Sequence, residues 1–229
     1  MRSYYMGQFI YRLLLLVAGA ALYLWEPQLL TPGNAGVSGR VFRGLLWVSI
    51  FFDALKKFFP SKKMSMGCRK VFSSQYKETS FPPASVKTIK KQSDKYALSV
   101  AVSWILFNLV FFFLFRRNII GVPELMLLVL LYFLADMICI LFFCPFRLMM
   151  HTKCCTTCRI FNWDSMMLCT PFIAVGGLYG WSLTVSALAV LIFWEVSYAK
   201  YPCRFFEQTN AALQCINCEG RLCGKGGCP

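Results

Sequence analysis

Cysteine is the residue type in this chain with the most chemistry to offer, and most of the twelve copies are clustered. One group is Cys154, Cys155 and Cys158, with His151 three residues upstream. The other is Cys215, Cys218 and Cys223, with Cys228 close behind and Cys203 between the two groups. Each group holds a Cys-x-x-Cys pair, Cys155/Cys158 and Cys215/Cys218. That spacing lets two sulfurs converge on one ion from a tight turn, and two such pairs complete a tetrahedral thiolate site. Zinc suits a closed sulfur site without redox chemistry. An iron–sulfur cluster also accepts four thiolates, but the familiar ferredoxin spacings are absent. The expected ligands are therefore Cys155, Cys158, Cys215 and Cys218, with His151, Cys154, Cys223 and Cys228 as further candidates. Cys154 and Cys155 are adjacent and cannot both serve one ion well, so Cys155 is preferred as the partner of Cys158.

The same pairs support a different chemistry. Cys155/Cys158 could exchange electrons with Cys215/Cys218, and onward with a quinone in the bilayer. Thiol exchange needs an accessible sulfur of lowered pKa, and Lys153 and Arg159 are the nearby cations. The bland reading is a set of thiols in a tail with no common task. Cys139 and Cys169 fall inside apolar stretches and read as small buried hydrophobes. Cys144 precedes Pro145, and Cys68 stands alone in a basic loop where lipidation is conceivable.

A third chemistry rests on Asp136, near the middle of an apolar stretch. A carboxylate at that depth is costly and marks a functional candidate, such as a transport path, unless it is a paired acid that locks helices together. Arg12, Asn108 and Ser103 are its candidate partners. Glu195 is expected to pair with Lys200, and Asp53 with Lys56 and Lys57. Asp164 reads as an N-cap or first-turn acid of the helix that follows. The Gly176-Gly177 and Gly180 region is too weak a pattern for an ion filter, and no internal repeat of transporter type stands out. No catalytic triad, phosphate loop or nucleotide motif is present.

The elements that must position these residues are membrane helices. Hydrophobic residues make up 58% of the 229, Phe alone contributes 22, and charged residues only 15%. Soluble domains carry roughly 25% charged residues, and one core of this size could not hide so much apolar surface. A helix that crosses a bilayer needs about 20 mostly apolar residues. The stretches 8–25, 41–59, 96–115, 122–146 and the two halves of 165–199 predict an all-α polytopic membrane protein of six transmembrane helices. The number is five if 41–59, which carries Arg43, Asp53, Lys56 and Lys57, lies in the interface. A cleaved signal peptide ending near Ala18-Gly19-Ala20 is the rival reading of the first stretch. The apolar run 165–199 is too long for one helix and is expected to turn at its glycines, as a full or re-entrant hairpin. The expected organisation is a membrane hairpin over 1–55, a basic loop over 56–95, a second hairpin over 96–146, a Cys-rich loop over 147–164, a third hairpin over 165–199 and a Cys-rich tail over 200–229.

Charge then orients the chain. With an even number of spans, one side carries the N-terminus, 56–95, 147–164 and the tail. It holds all of the 24 Lys and Arg except Arg40, Arg43, Arg116 and Arg117. Cytoplasmic loops carry such an excess, which predicts a cell-membrane protein with both cysteine groups in the cytoplasm. Thiols there stay reduced, which favours metal or redox chemistry over static disulfides. The net charge of +14 lies beside spans and without a nucleic-acid motif. Its expected partner is anionic lipid headgroups rather than nucleic acid. If a metal merely ties the loop to the tail, the activity resides elsewhere or with a protein partner.

Overall fold

A computed structural model describes residues 2–33, 36–60, 66–152 and 154–217, with the backbone alone at Arg2, Pro83, Cys155 and Cys215. The described residues form helices joined by short 3-10 turns and no extended strand. The helices are α1 (Arg2–Trp25), α2 (Val37–Lys56), α3 (Met66–Arg69), α4 (Pro83–Arg116), α5 (Val122–Leu141), α6 (Pro145–Met149), α7 (Asp164–Val175) and α8 (Gly177–Lys200). The chain is an all-α membrane protein.

Local sequence explains the boundaries. Pro83 opens α4 at the first helical turn, where its missing N–H costs nothing. The start of α5 is closed by Glu124, whose carboxylate accepts the Gly121 N–H at 2.7 Å and the Tyr23 hydroxyl at 2.7 Å. That contact also fixes the end of α1 against the start of α5. The run 165–199 divides at glycine as expected: Gly176 and Gly177 have φ of +66° and +61°. Those values suit residues without a Cβ. Gly180 then lets α8 meet α7 backbone to backbone, since a Cβ there would lie 2.6 Å from the Phe172 carbonyl oxygen.

The span count is corrected from six to four. Ser3–Trp25, Ala84–Arg116, Val122–Leu141 and Gly177–Lys200 are long and apolar enough to cross a bilayer. The other two expected spans fail for different reasons. With 12 residues, α7 reaches only about 18 Å, short of the ~30 Å hydrocarbon layer. With 20 residues, α2 is long enough, but Arg40, Arg43, Asp53 and Lys56 interrupt its apolar run. Both nevertheless complete the bundle. The indole of Trp47 in α2 donates to Ser182 of α8 at 2.9 Å, and the hydroxyl of Tyr179 donates to the Arg43 carbonyl at 3.0 Å. Thus α2 runs alongside α8 instead of lying across the helix ends.

Cross-contacts set the directions. α1 is antiparallel to α5, with Tyr23 at Glu124 and Arg12 at Asp136. α2, α5 and α8 run one way, and α1, α4 and α7 run the other. Residues 57–82, 142–163 and 201–217 therefore share one end of the bundle, called here the cysteine face. The central core packs Leu46 and Ile50 of α2, Met126, Val129, Leu130 and Phe133 of α5, and Phe172, Leu183 and Ala187 of α7 and α8. A second cluster caps the cysteine face with Val71, Trp194, Tyr198, Phe205 and Phe206. α4 is the outlier: 11% of its most apolar window is buried inside the protein.

Candidate thiol site and the charged seam beside it

The expected span over 122–146 is interrupted, and the interruption makes a site. α5 ends at Leu141. The N–H groups of Phe142 and Phe143 both donate to the Ile138 carbonyl, at 2.9 and 3.1 Å. Pro145 cannot continue the helix, and it drives the residue before it into extended backbone. Cys144 accordingly sits at φ −118°, ψ 113°. On an unbroken helix residues 139 and 144 would point about 140° apart. The break folds Cys144 back instead, so that it lines the same cavity as Cys139. Both are half-buried, whereas Cys68, Cys154, Cys158 and Cys169 are buried.

The pair lines a cavity of about 510 Å³ together with Cys158, Trp104, Tyr132, Phe146 and Phe161. Leu131, Ile138 and Phe143, also in its wall, are exposed on the outer surface of the bundle, so its mouth faces the lipid. A second, apolar cavity of about 600 Å³ lies between α4 and the helices α5, α7 and α8, and shares Trp104 and Met167 with the first.

Cys158 stands behind the pair. Burial pushes its thiol up from the usual range, and neighbouring Lys70 pulls the other way. Arg159, expected to lower a thiol pKa, is engaged elsewhere: its guanidinium holds Glu195 at 2.8 and 2.7 Å and stacks 3.6 Å over Tyr198. This also corrects the expected Glu195–Lys200 pair, because Glu195 bonds to Arg159 and to the Trp163 indole at 2.8 Å.

The other expected ligands are dispersed or lie beyond what the structure describes. His151 is exposed, donates from Nδ1 to the Leu148 carbonyl at 2.8 Å and rests against Tyr96. Cys154 is buried and accepts from the Thr156 hydroxyl at 3.2 Å. Cys155 and Cys215 are described in backbone only, and Cys218, Cys223 and Cys228 lie outside the described residues. Among the described residues no group of three or more His, Cys, Asp or Glu side chains is placed to hold a metal ion. α3 packs against both the Cys155–Thr157 turn and the Ala211–Leu213 turn, which ends two residues before Cys215.

What visibly ties loop to tail is a lysine. Lys70, 1% exposed, donates to the carbonyls of Thr156 and Cys158 at 3.1 Å each. Its ammonium also lies 5.8 Å from the Phe161 ring and 5.6 Å from the Phe205 ring. Burial pushes this ammonium down to about 8. Nearby, Arg204 donates to the Val71 carbonyl at 3.1 Å. Nothing in the sequence distinguishes Lys70 from its ten basic neighbours over 56–95, since burial is a tertiary property.

Beside the thiol cavity, Asp136 is paired. Arg12, with 6% of its side chain exposed, bridges Asp136 at 2.7 Å and Asp53 at 2.6 Å, and donates to the Phe133 carbonyl at 2.7 Å. Of the candidate partners, Arg12 is the one that meets Asp136. Asn108 accepts from Tyr132 and Ser103 bonds back to Ser99. Asp53 also holds Lys56 at 2.9 Å, while Lys57 turns to Asp164 and Ser165. Three cations thus face three carboxylates, and the seam is neutral. A balanced seam fits a lock better than a binding site for a transported ion. Asp136 lies one turn before Cys139 and borders both the thiol cavity and the small polar pocket around Arg12.

The thiol pair is the part of the site that sequence reasoning missed. Its signal is Cys-x4-Cys-Pro at a helix end, legible only once Pro145 is allowed to break the span. No protein-family model, curated protein or solved structure matches the chain.

Proposed function

We propose that the chain is a membrane thiol–disulfide oxidoreductase in which Cys139 and Cys144 are the working pair. The observation that carries this reading is that Cys139, Cys144 and Cys158 line one cavity whose rim is exposed on the outer surface of the bundle. Oxidation breaks both S–H bonds, forms one S–S bond and releases two protons and two electrons. Cys158 lines the same cavity and connects the pair to Cys155, the other half of its Cys-x-x-Cys motif. On the positive-inside reading the cysteine face is cytoplasmic and its basic residues meet anionic headgroups. Acid quenching of cells followed by thiol alkylation and peptide mapping tests the proposal. A Cys139–Cys144 disulfide should be trapped in a fraction of the protein and be lost in Cys139→Ser. A pair that stays reduced under every growth condition and under added oxidant removes it.

One observation favours a second reading: α3 packs against the turn that begins at Cys155 and against the Ala211–Leu213 turn just before Cys215. A zinc ion held by Cys155, Cys158, Cys215 and Cys218 would tie the loop to the tail, with activity resting on a partner protein. Elemental analysis of protein purified without chelator should then find zinc near one equivalent per chain, reduced in Cys158→Ser and Cys218→Ser. Metal-free protein with the fold intact eliminates it.

A further inference from the structure

The thiol cavity and its neighbour also bear on what takes the electrons, an inference that rests on the oxidoreductase reading above. A dithiol gives up two electrons and two protons together. Cys139 lies within α5, on the wall of a cavity whose mouth is lined by exposed Leu131 and Phe143. The cavity opens between exposed apolar side chains on the outer surface of the bundle, and to reach it there the polar surface of a soluble protein would have to enter lipid. The acceptor must instead be lipid-soluble and small enough for about 510 Å³.

The walls narrow the choice. They include the aromatic side chains of Trp104, Tyr132, Phe146 and Phe161 among aliphatic ones, and such faces stack on a flat ring. The adjoining cavity of about 600 Å³ is almost wholly apolar and shares Trp104 and Met167 with the first. One space suits a planar head and the other an apolar tail. We infer that the pair of cavities binds a membrane quinone, with its ring beside Cys139 and Cys144 and its tail between α4 and α7. In the reaction the two S–H bonds break and the Sγ–Sγ bond forms. Two electrons and two protons convert both ring carbonyls to hydroxyls, so that dithiol plus quinone gives disulfide plus quinol.

The test uses the full chain in phospholipid vesicles, reduced, freed of reductant and kept without oxygen. A fully ring-substituted benzoquinone with a decyl tail is added, and quinol is followed by absorbance while the disulfide is mapped by mass spectrometry. Diamide, a water-soluble thiol oxidant, is the parallel arm. The expected result is one quinol and one Cys139–Cys144 disulfide per chain, with neither formed in Cys144→Ser. Ala135→Phe, which fills the ring cavity, should slow the quinone reaction about tenfold or more while diamide still closes the pair. Leu131→Trp at the mouth does the same test should Ala135→Phe fail to fold. If diamide closes the pair and the quinone does not, the quinone inference falls and the oxidoreductase reading stands. Unchanged quinone rates in a folded blocking variant also overturn the inference. If neither oxidant closes the pair, both fall.

Discussion

The two sides of α5 are built on opposite principles. Toward α1, α2 and α7 the helix is sealed: Met126, Val129, Leu130 and Phe133 are at most 1% exposed, and Arg12 latches Asp136 to Asp53. Toward α4 the same helix borders open space, with Tyr132 and Cys139 on cavity walls and Leu131 exposed at the rim. Sealing one side fixes where the other side's groups stand. A helix held by an ion-paired seam can leave its other face unpacked without losing its place.

The contrast can be broken from its strongest point. Arg12→Met should lower stability by about 3–5 kcal/mol, because it strands two partly buried carboxylates. Thermal denaturation in detergent measures this. Adding Asp53→Asn and Asp136→Asn should recover most of the loss, which is the mark of a lock and not of an ion path. Phe133→Ala comes next, at about 3 kcal/mol, since the void lies in the sealed core and the ring also carries the Arg12 guanidinium at 3.9 Å.

Lys70→Met should cost about 1–2 kcal/mol, because the Thr156 and Cys158 carbonyls lose their donor while an unfavourably buried charge is also removed. Faster alkylation of Cys158 reports the loosened loop. The same lysine predicts a pH effect. Its folded pKa is depressed to about 8 from 10.5. Within that window the unfolded chain holds the proton and the folded chain does not. Stability from this group therefore rises with pH between about 8 and 10.5 and is flat below. The slope should vanish in Lys70→Met when thermal midpoints are compared across that range. Smallest of all is Leu131→Ala, on the open side of α5, which should change stability by less than about 0.5 kcal/mol. A loss as large as that of Phe133→Ala would erase the difference between the two sides.

Much of the frame was legible from composition alone. Four apolar runs of bilayer length, a turn at Gly176-Gly177 and the gathering of the cysteine loops on one face all follow from hydropathy, glycine and chain parity. What misled was length without context. Residues 165–175 look like half of a hairpin of full spans, yet α7 is half-length because Gly176 turns the chain early. Residues 122–146 look continuous, yet Pro145 ends α5 before Cys144. The Cys-x-x-Cys pairs are legible because their spacing is local, while the cavity that Cys139 and Cys144 share depends on how a broken helix end folds back.

By itself the sequence determined the helical membrane class, because lipid must satisfy an apolar surface no soluble core could bury, and it determined which segments share a face. Only the tertiary structure decided that Asp136 is matched by Arg12, that Lys70 is buried against the Thr156 and Cys158 carbonyls, and that Cys139 and Cys144 line one cavity. Pairing, burial and cavity shape depend on residues far apart in the chain, and no local pattern encodes them.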